Sequence, residues 1–140
     1  GRVAIEKESG KVGLDIDKTG DLWAKQIPEA RGQVVRSDSA RPETISYLQR
    51  HGWPRVTGVD KWKGSVEDGV DWLRAKGLLI HPQCERAVRE ARLYRYKTNK
   101  GGDVIAQIED ANNHVMDAVR YALSPLIQAR GRVGRMEVRY

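Results

Sequence analysis

The chain has 140 residues, 39% of them hydrophobic and 31% charged, which is enough for one domain with a real core. No apolar run is long enough to span a membrane, the first residues do not resemble a signal peptide, and the single cysteine, Cys84, excludes an internal disulfide and suggests no cysteine-based zinc site. Lys and Arg number 25 against 19 Asp and Glu, a net charge of +6 with a pI near 9.6, which favours a polyanionic partner because neutralising phosphates releases counter-ions.

Val3 to Glu8 predicts a strand, turned at Ser9 and Gly10. Asp15 to Thr19 then forms a D-x-D-x-T pattern, which resembles the nucleophile loop of haloacid-dehalogenase-like phosphatases. There Asp15 would attack phosphorus and Asp17 would serve as acid and base. Only Val12 to Leu14 precede it, a weak strand. Thr19 to Ala30 reads as a helix with Leu22, Trp23 and Ile27 on one side. Gln33 to Arg36 is a strand, and a helix through Thr44 to Arg50 stops at Gly52. Arg55 to Val59 is the next strand. Ser65 caps a helix ending before Gly77. Leu78 to Ile80 is a short buried strand, and Cys84 to Leu93 is helical. Tyr94 to Ile108 forms a hairpin around Asn99, Lys100, Gly101 and Gly102. A final helix carries Asn112 to Leu123. Beyond Pro125 the apolar pattern decays, so 128–140 is expected to be a basic, mobile tail after a domain spanning 1–127. The order is that of a mixed α/β domain. Phenylalanine is absent, so Trp23, Trp53, Trp62, Trp72 and the tyrosines supply the aromatic bulk.

Two stretches carry candidate chemistry. In Gly32 to Thr44, GQVVRSDSARPET, the β-branched Val34 and Val35 suit a strand, and Ser39 and Pro42 suit a helix start. Asp38 therefore falls at the carboxyl end of a strand, where open α/β sheets place ligands, although capping the next helix would explain it as well. In NNHVMDAVRYAL, at about 100° per residue, Val115, Ala118, Val119, Ala122 and Leu126 form an apolar stripe. Asp110, His114, Asp117 and Tyr121 lie along one flank. A carboxylate and an imidazole on a rigid element suit a divalent metal, yet spacing alone does not separate such a site from a solvated flank.

Basic charge is uneven. Arg86, Arg89, Arg92, Arg95, Lys97 and Lys100 form one stretch and Arg130, Arg132, Arg135 and Arg139 another. Tyr94 and Tyr96 alternate with Arg95 and Lys97, a mixture that rides along nucleic-acid backbones or simply packs across strands. Lys63 with Gly64 and Ser65 offers a cation and helix amides to a phosphate, or a plain cap. His51 reads as a charge at a helix C-terminus, His81 as a loop histidine, and Cys84 as a small hydrophobe.

In combination, DSARPETISYL, KGSVEDGVDWL, IHPQC, the tyrosine-rich hairpin and EDANNHVMDAVRYAL resemble the C-terminal nuclease domain of phage terminase large subunits, in the PBSX-like branch, from about Val3 to Leu126. The resemblance implies an RNase H-like fold, a mixed sheet flanked by helices, and metal-dependent cutting of concatemeric viral double-stranded DNA during packaging. It implies two divalent ions, Mg2+ or Mn2+. Asp38 and Asp117 match catalytic aspartates, Asp38 bridging the ions, and His114 with Asp117 would hold one of them, His114 through a neutral ring nitrogen. Asp110 and Asn113 would orient these ligands. Arg95, Tyr96, Lys97, Lys100 and Lys63 would meet the DNA backbone.

The family's first catalytic aspartate lies on a first strand that nothing here matches, and no GxxxxGK[ST] phosphate loop is present. The chain is therefore expected to be a piece of a longer polypeptide, with that strand and an N-terminal ATPase upstream, and to cut little by itself. The resemblance further implies the terminase small subunit and portal protein as partners, no membrane, and a place in the host-cell cytoplasm. A non-catalytic module that binds DNA or a packaging partner is the remaining alternative.

Overall fold

The structure, a computed structural model, describes residues 2–108 and 113–129. Strand β1 (Val3–Ile5) pairs in parallel with β4 (Leu78–Ile80), Val3 opposite Leu78 and Ile5 opposite Ile80. The strand ends at Ile5 rather than Glu8 because Glu8 is needed elsewhere. Its carboxylate accepts the amides of Arg86 (2.9 Å) and Ala87 (3.0 Å) at the start of α4 (Glu85–Leu93). Those first-turn amides have no partner within their own helix. The expected helix after Thr19 divides in two, α1 (Ile16–Gln26) and a 3-10 turn (Pro28–Gly32), since Pro28 has no N–H to continue the helical ladder.

Strand β2 (Val35–Ser37) runs parallel to β3 (Val56–Gly58), with α2 (Pro42–Arg50) as the crossover and Pro42 in its first turn. Leu48, Trp53 and Val56 are buried between these elements, with Trp23, Val35 and Ile45 packed against them. Trp23 meets Trp53 edge-on at 5.2 Å and 86°, and the Trp53 indole donates to Gly20 O at 3.2 Å. A Cβ on Gly20 would stand 2.8 Å from that indole nitrogen, so the close approach requires glycine.

Helix α3 (Ser65–Lys76) starts after Gly64, whose φ of 84° makes the glycine the capping position and Ser65 the first helical residue, contrary to the expected Ser65 cap. Strands β5 (Tyr96–Thr98) and β6 (Val104–Ile108) form the expected antiparallel hairpin, its tip held by Asn99 Oδ1, which accepts the amides of Gly101 and Asp103. Helix α5 (His114–Ala122) follows, and the chain is helical again over 124–129. There Ile127 is buried with Trp72, Leu73 and Met116, so the core extends past Pro125 where the decaying apolar pattern gave no sign of it. Residues 130–140, and with them most of the expected tail, lie outside the described residues. Among the described residues the strands form three pairs, β1–β4, β2–β3 and β5–β6.

Candidate active site

The parallel register of β2 and β3 puts Ser37 opposite Gly58, and Val59 N donates to Ser37 O at 2.9 Å. The segments leaving both strands therefore emerge at the same sheet edge. One carries Asp38, the other Lys61, and Lys61 Nζ stands 2.7 Å from Asp38 Oδ1. The same oxygen accepts Ala40 N at 3.0 Å, the local turn that sends the chain into α2. The Lys61 ammonium, helped by the Ala40 amide, holds the Asp38 carboxyl below its ordinary range. A Cβ on Gly58 would come within 3.3 Å of Ser39 Cβ, so glycine there leaves room for the turn bearing Asp38.

The second half of the site is built on α5. Buried Glu90, from α4, accepts Val115 N with both carboxylate oxygens (2.9 and 3.1 Å), compensating the amide end of the helix. Asn113 holds the capping position, and Asp117 lies in the first turn. Asp117 Oδ1 accepts from Tyr94 Oη (3.0 Å) and Arg120 Nη2 (2.9 Å), while Arg120 Nε donates to the same Tyr94 oxygen (2.9 Å). The triangle is packed: Arg120 is only 8% exposed and Asp117 24%. The Arg120 stem lies over Gly69 of α3, where a Cβ would stand 2.8 Å from Arg120 Cδ. Burial, ahead of any charge, pushes the Tyr94 phenol far up.

Tyr121 connects the halves. Its ring lies 5.6 Å from Lys61 Nζ and 5.6 Å from Arg120 Cζ. Its phenol is raised by burial first, then by both Asp38 and Asp117. Both carboxylates thus act on one hydroxyl, and α5 is tied to β2 by Arg36 Nη1, which donates to Ala122 O at 3.4 Å. His114 is exposed at the first position of α5, one turn before Asp117. Among the described residues no three His, Cys, Asp or Glu gather closely enough to hold a metal ion, and Asp110 lies outside those residues.

The apolar stripe expected on α5 is rotated. Ala118 and Ala122 are exposed and Leu126 is 58% exposed, while Met116 and Arg120 are buried. An arginine reads as surface in a sequence, but here Asp117 and Tyr94 carry it into the core. Of the expected DNA-facing residues, Lys63 is exposed just before Gly64, Arg95 precedes β5, and Lys100 sits at the exposed hairpin tip. Tyr96 and Lys97 lie on β5. Tyr96 is turned toward α3, where Asp71 and Glu67 add to burial in raising its phenol. Tyr94 belongs to Asp117 rather than to the hairpin surface. His51 closes α2 as expected, its ring bonded to Tyr47 O at 2.7 Å, and His81 accepts the Gln83 amide in a loop. Cys84 is buried. Asp15 is the exposed capping position of α1, with no described strand leading into it, so the D-x-D-x-T pattern is a helix entry.

Sequence reasoning did not single out Lys61, Glu90, Gly69 or Arg120. KGSVEDG held the only trace of the third, a glycine inside a helix that must have a packing reason.

Asp38 thus follows a parallel strand, and Asp117 lies on the helix tied to that strand. Residues 20–125 match the family described as the terminase RNase H-like domain, and the chain belongs to that family. It is 39% identical over 112 residues to the terminase large subunit of Bacillus phage SPP1, covering 78% of this chain and 26% of that protein. The chain thus spans about a quarter of the length of that relative. The crystal structure of the g2p (large terminase) nuclease domain from bacteriophage SPP1 with bound Mn superposes with a TM-score of 0.71 at 33% identity, over 81% of this chain and 64% of that one.

Proposed function

We propose that this chain is the metal-dependent endonuclease domain of a viral DNA-packaging terminase large subunit, cutting concatemeric double-stranded DNA by two-metal phosphodiester hydrolysis. The observation that carries the reading is the match of residues 20–125 to the terminase RNase H-like family, with Asp38 just beyond β2 and Asp117 on α5 as the candidate carboxylates. Each carboxylate already gathers a cationic side chain, Lys61 on one and Arg120 on the other. A site where two carboxylates collect positive charge has the oxygen donors that Mg2+ and Mn2+ prefer, and the SPP1 nuclease domain is described with Mn bound.

In this reading Asp38, Asp117 and His114 would hold the ions. Bound divalent cations would supply water activation and charge neutralisation for the cut. Arg120 and Tyr94 hold one oxygen of Asp117 and so orient the carboxylate that would bind an ion. Glu90 fixes the helix from which Asp117 and His114 project. Lys63, Arg95, Tyr96, Lys97 and Lys100 would meet the phosphate backbone, with little sequence preference. The N-terminal ATPase, small subunit and portal protein would be its partners in the host cytoplasm.

The test uses the whole large subunit on plasmid DNA with Mn2+. Asp38→Asn is expected to abolish cleavage while DNA binding survives. Undiminished cutting by that variant would refute the reading.

A further inference from the structure

The two cations that attend the candidate ligands differ in kind. Arg120 is 8% exposed, makes two charge-assisted hydrogen bonds, and has its stem sealed over Gly69, so it is a permanent fixture. Lys61 is 46% exposed and meets an Asp38 side chain that is 49% exposed, through a single contact. Its backbone, by contrast, is held on both sides. Val59 is buried and bonded to Ser37 O. Trp62 donates its indole to Asp68 Oδ2 at 2.7 Å, and Trp62 O accepts Ser65 N at 3.0 Å. A fixed backbone with a long, mobile stem delivers an ammonium to one small region and lets it change partners within that region.

We propose that Lys61 is an exchangeable site cation: it compensates Asp38 until a divalent ion takes that carboxylate, and then serves a phosphate oxygen of the bound nucleic acid. The proposal rests on the nuclease reading above and adds a residue and a role to it. An exposed ion pair is weak and is readily given up to a divalent competitor. Displacement leaves the ammonium beside the metal-bound carboxylate, where the nearest available anion is substrate phosphate. The tether at Val59 and Trp62 keeps it there, and the Tyr121 face, 5.6 Å away, offers it a second contact during the exchange.

Lys61→Met keeps the stem and removes the charge at an exposed position outside the packed core, and melting of the 140-residue chain checks that folding is unchanged. Titration calorimetry of this chain with Mn2+ alone should show tighter binding in Lys61→Met than in wild type, up to about fivefold, the scale of an exposed pair. Binding to a short DNA duplex is then compared in EDTA and in Ca2+, a hard cation that takes the same oxygen donors. In EDTA the variant should match wild type, because Lys61 is occupied by Asp38. In Ca2+ it should bind more weakly, with the salt dependence reduced by about one phosphate contact. Unchanged or weaker Mn2+ binding overturns the proposal, and so does an equal loss of DNA affinity with and without metal, the mark of a general basic patch. Asp38→Asn separates the two readings. If wild type binds Mn2+ and Asp38→Asn does not, the metal site stands whatever Lys61 does. If wild type binds none, both fall together.

Discussion

Gly69→Ala should do more harm than an alanine in mid-helix ordinarily does, and the reason lies across the interface in Arg120. The new Cβ would stand 2.8 Å from Arg120 Cδ and 3.3 Å from Cγ, roughly 1 Å short of an ordinary carbon–carbon contact of about 3.5–4.0 Å. Arg120 has little freedom to yield, since Nε is bonded to Tyr94 and Nη2 to Asp117, both at 2.9 Å. Overpacking of this kind costs about 1–3 kcal/mol, while alanine gains about 1 kcal/mol over glycine in helix propensity. The net expectation is a loss of up to about 2 kcal/mol, a fall in Tm of several degrees at about 2–4 °C per kcal/mol. In an Arg120→Ala background the obstructing Cγ and Cδ are gone, and only the propensity gain of about 1 kcal/mol should remain. Urea melts of the four proteins in this cycle measure the coupling, expected at about 1–3 kcal/mol. If Gly69→Ala is equally destabilising in both backgrounds, Arg120 is not what the glycine accommodates.

Other expectations follow from the same contacts. Asp117→Asn should be costlier to the fold than Asp38→Asn: it strips the charge partner from buried Arg120, about 1–3 kcal/mol, whereas Asp38 loses only an exposed pair, below about 1 kcal/mol. Equal urea midpoints would contradict the buried triangle. Glu90→Gln should lower stability by about 1–2 kcal/mol by weakening the charged cap on α5, and should weaken Mn2+ binding in calorimetry because His114 and Asp117 project from that helix. No change in either measurement would remove Glu90 from the site's support. Burial holds the Cys84 thiol and the Tyr94 phenol protonated in the fold, so the native state keeps protons that the unfolded chain releases. Stability should be flat up to the ordinary thiol pKa of about 8.5 and fall as the pH rises beyond it. Cys84→Ala should remove the first part of that fall and Tyr94→Phe the later part, read from urea melts along an alkaline series.

Much of the element order is local and was therefore legible. The β-branched Val34 and Val35, Pro42 at a helix start, Gly77 at a helix end and the Asn99–Gly102 turn each act through backbone preferences that neighbouring residues do not override. The position of Asp38 just beyond a strand, and of His114 and Asp117 on one helix, came from the same local grammar. What tertiary structure decided was where the polar side chains find partners. Glu8 left an expected strand to cap α4, and Glu90 capped α5 from another helix. Arg120 turned the buried face of α5 away from its most apolar line, because Asp117 and Tyr94 satisfy a guanidinium that a hydrophobic pattern places outside. Lys61 reached Asp38 only because β2 and β3 run parallel in register, which releases both following segments at one edge of the sheet. Periodicity reports which face of an element is greasy. It carries no information about a charge that another element makes affordable to bury, and the candidate site is assembled from such charges.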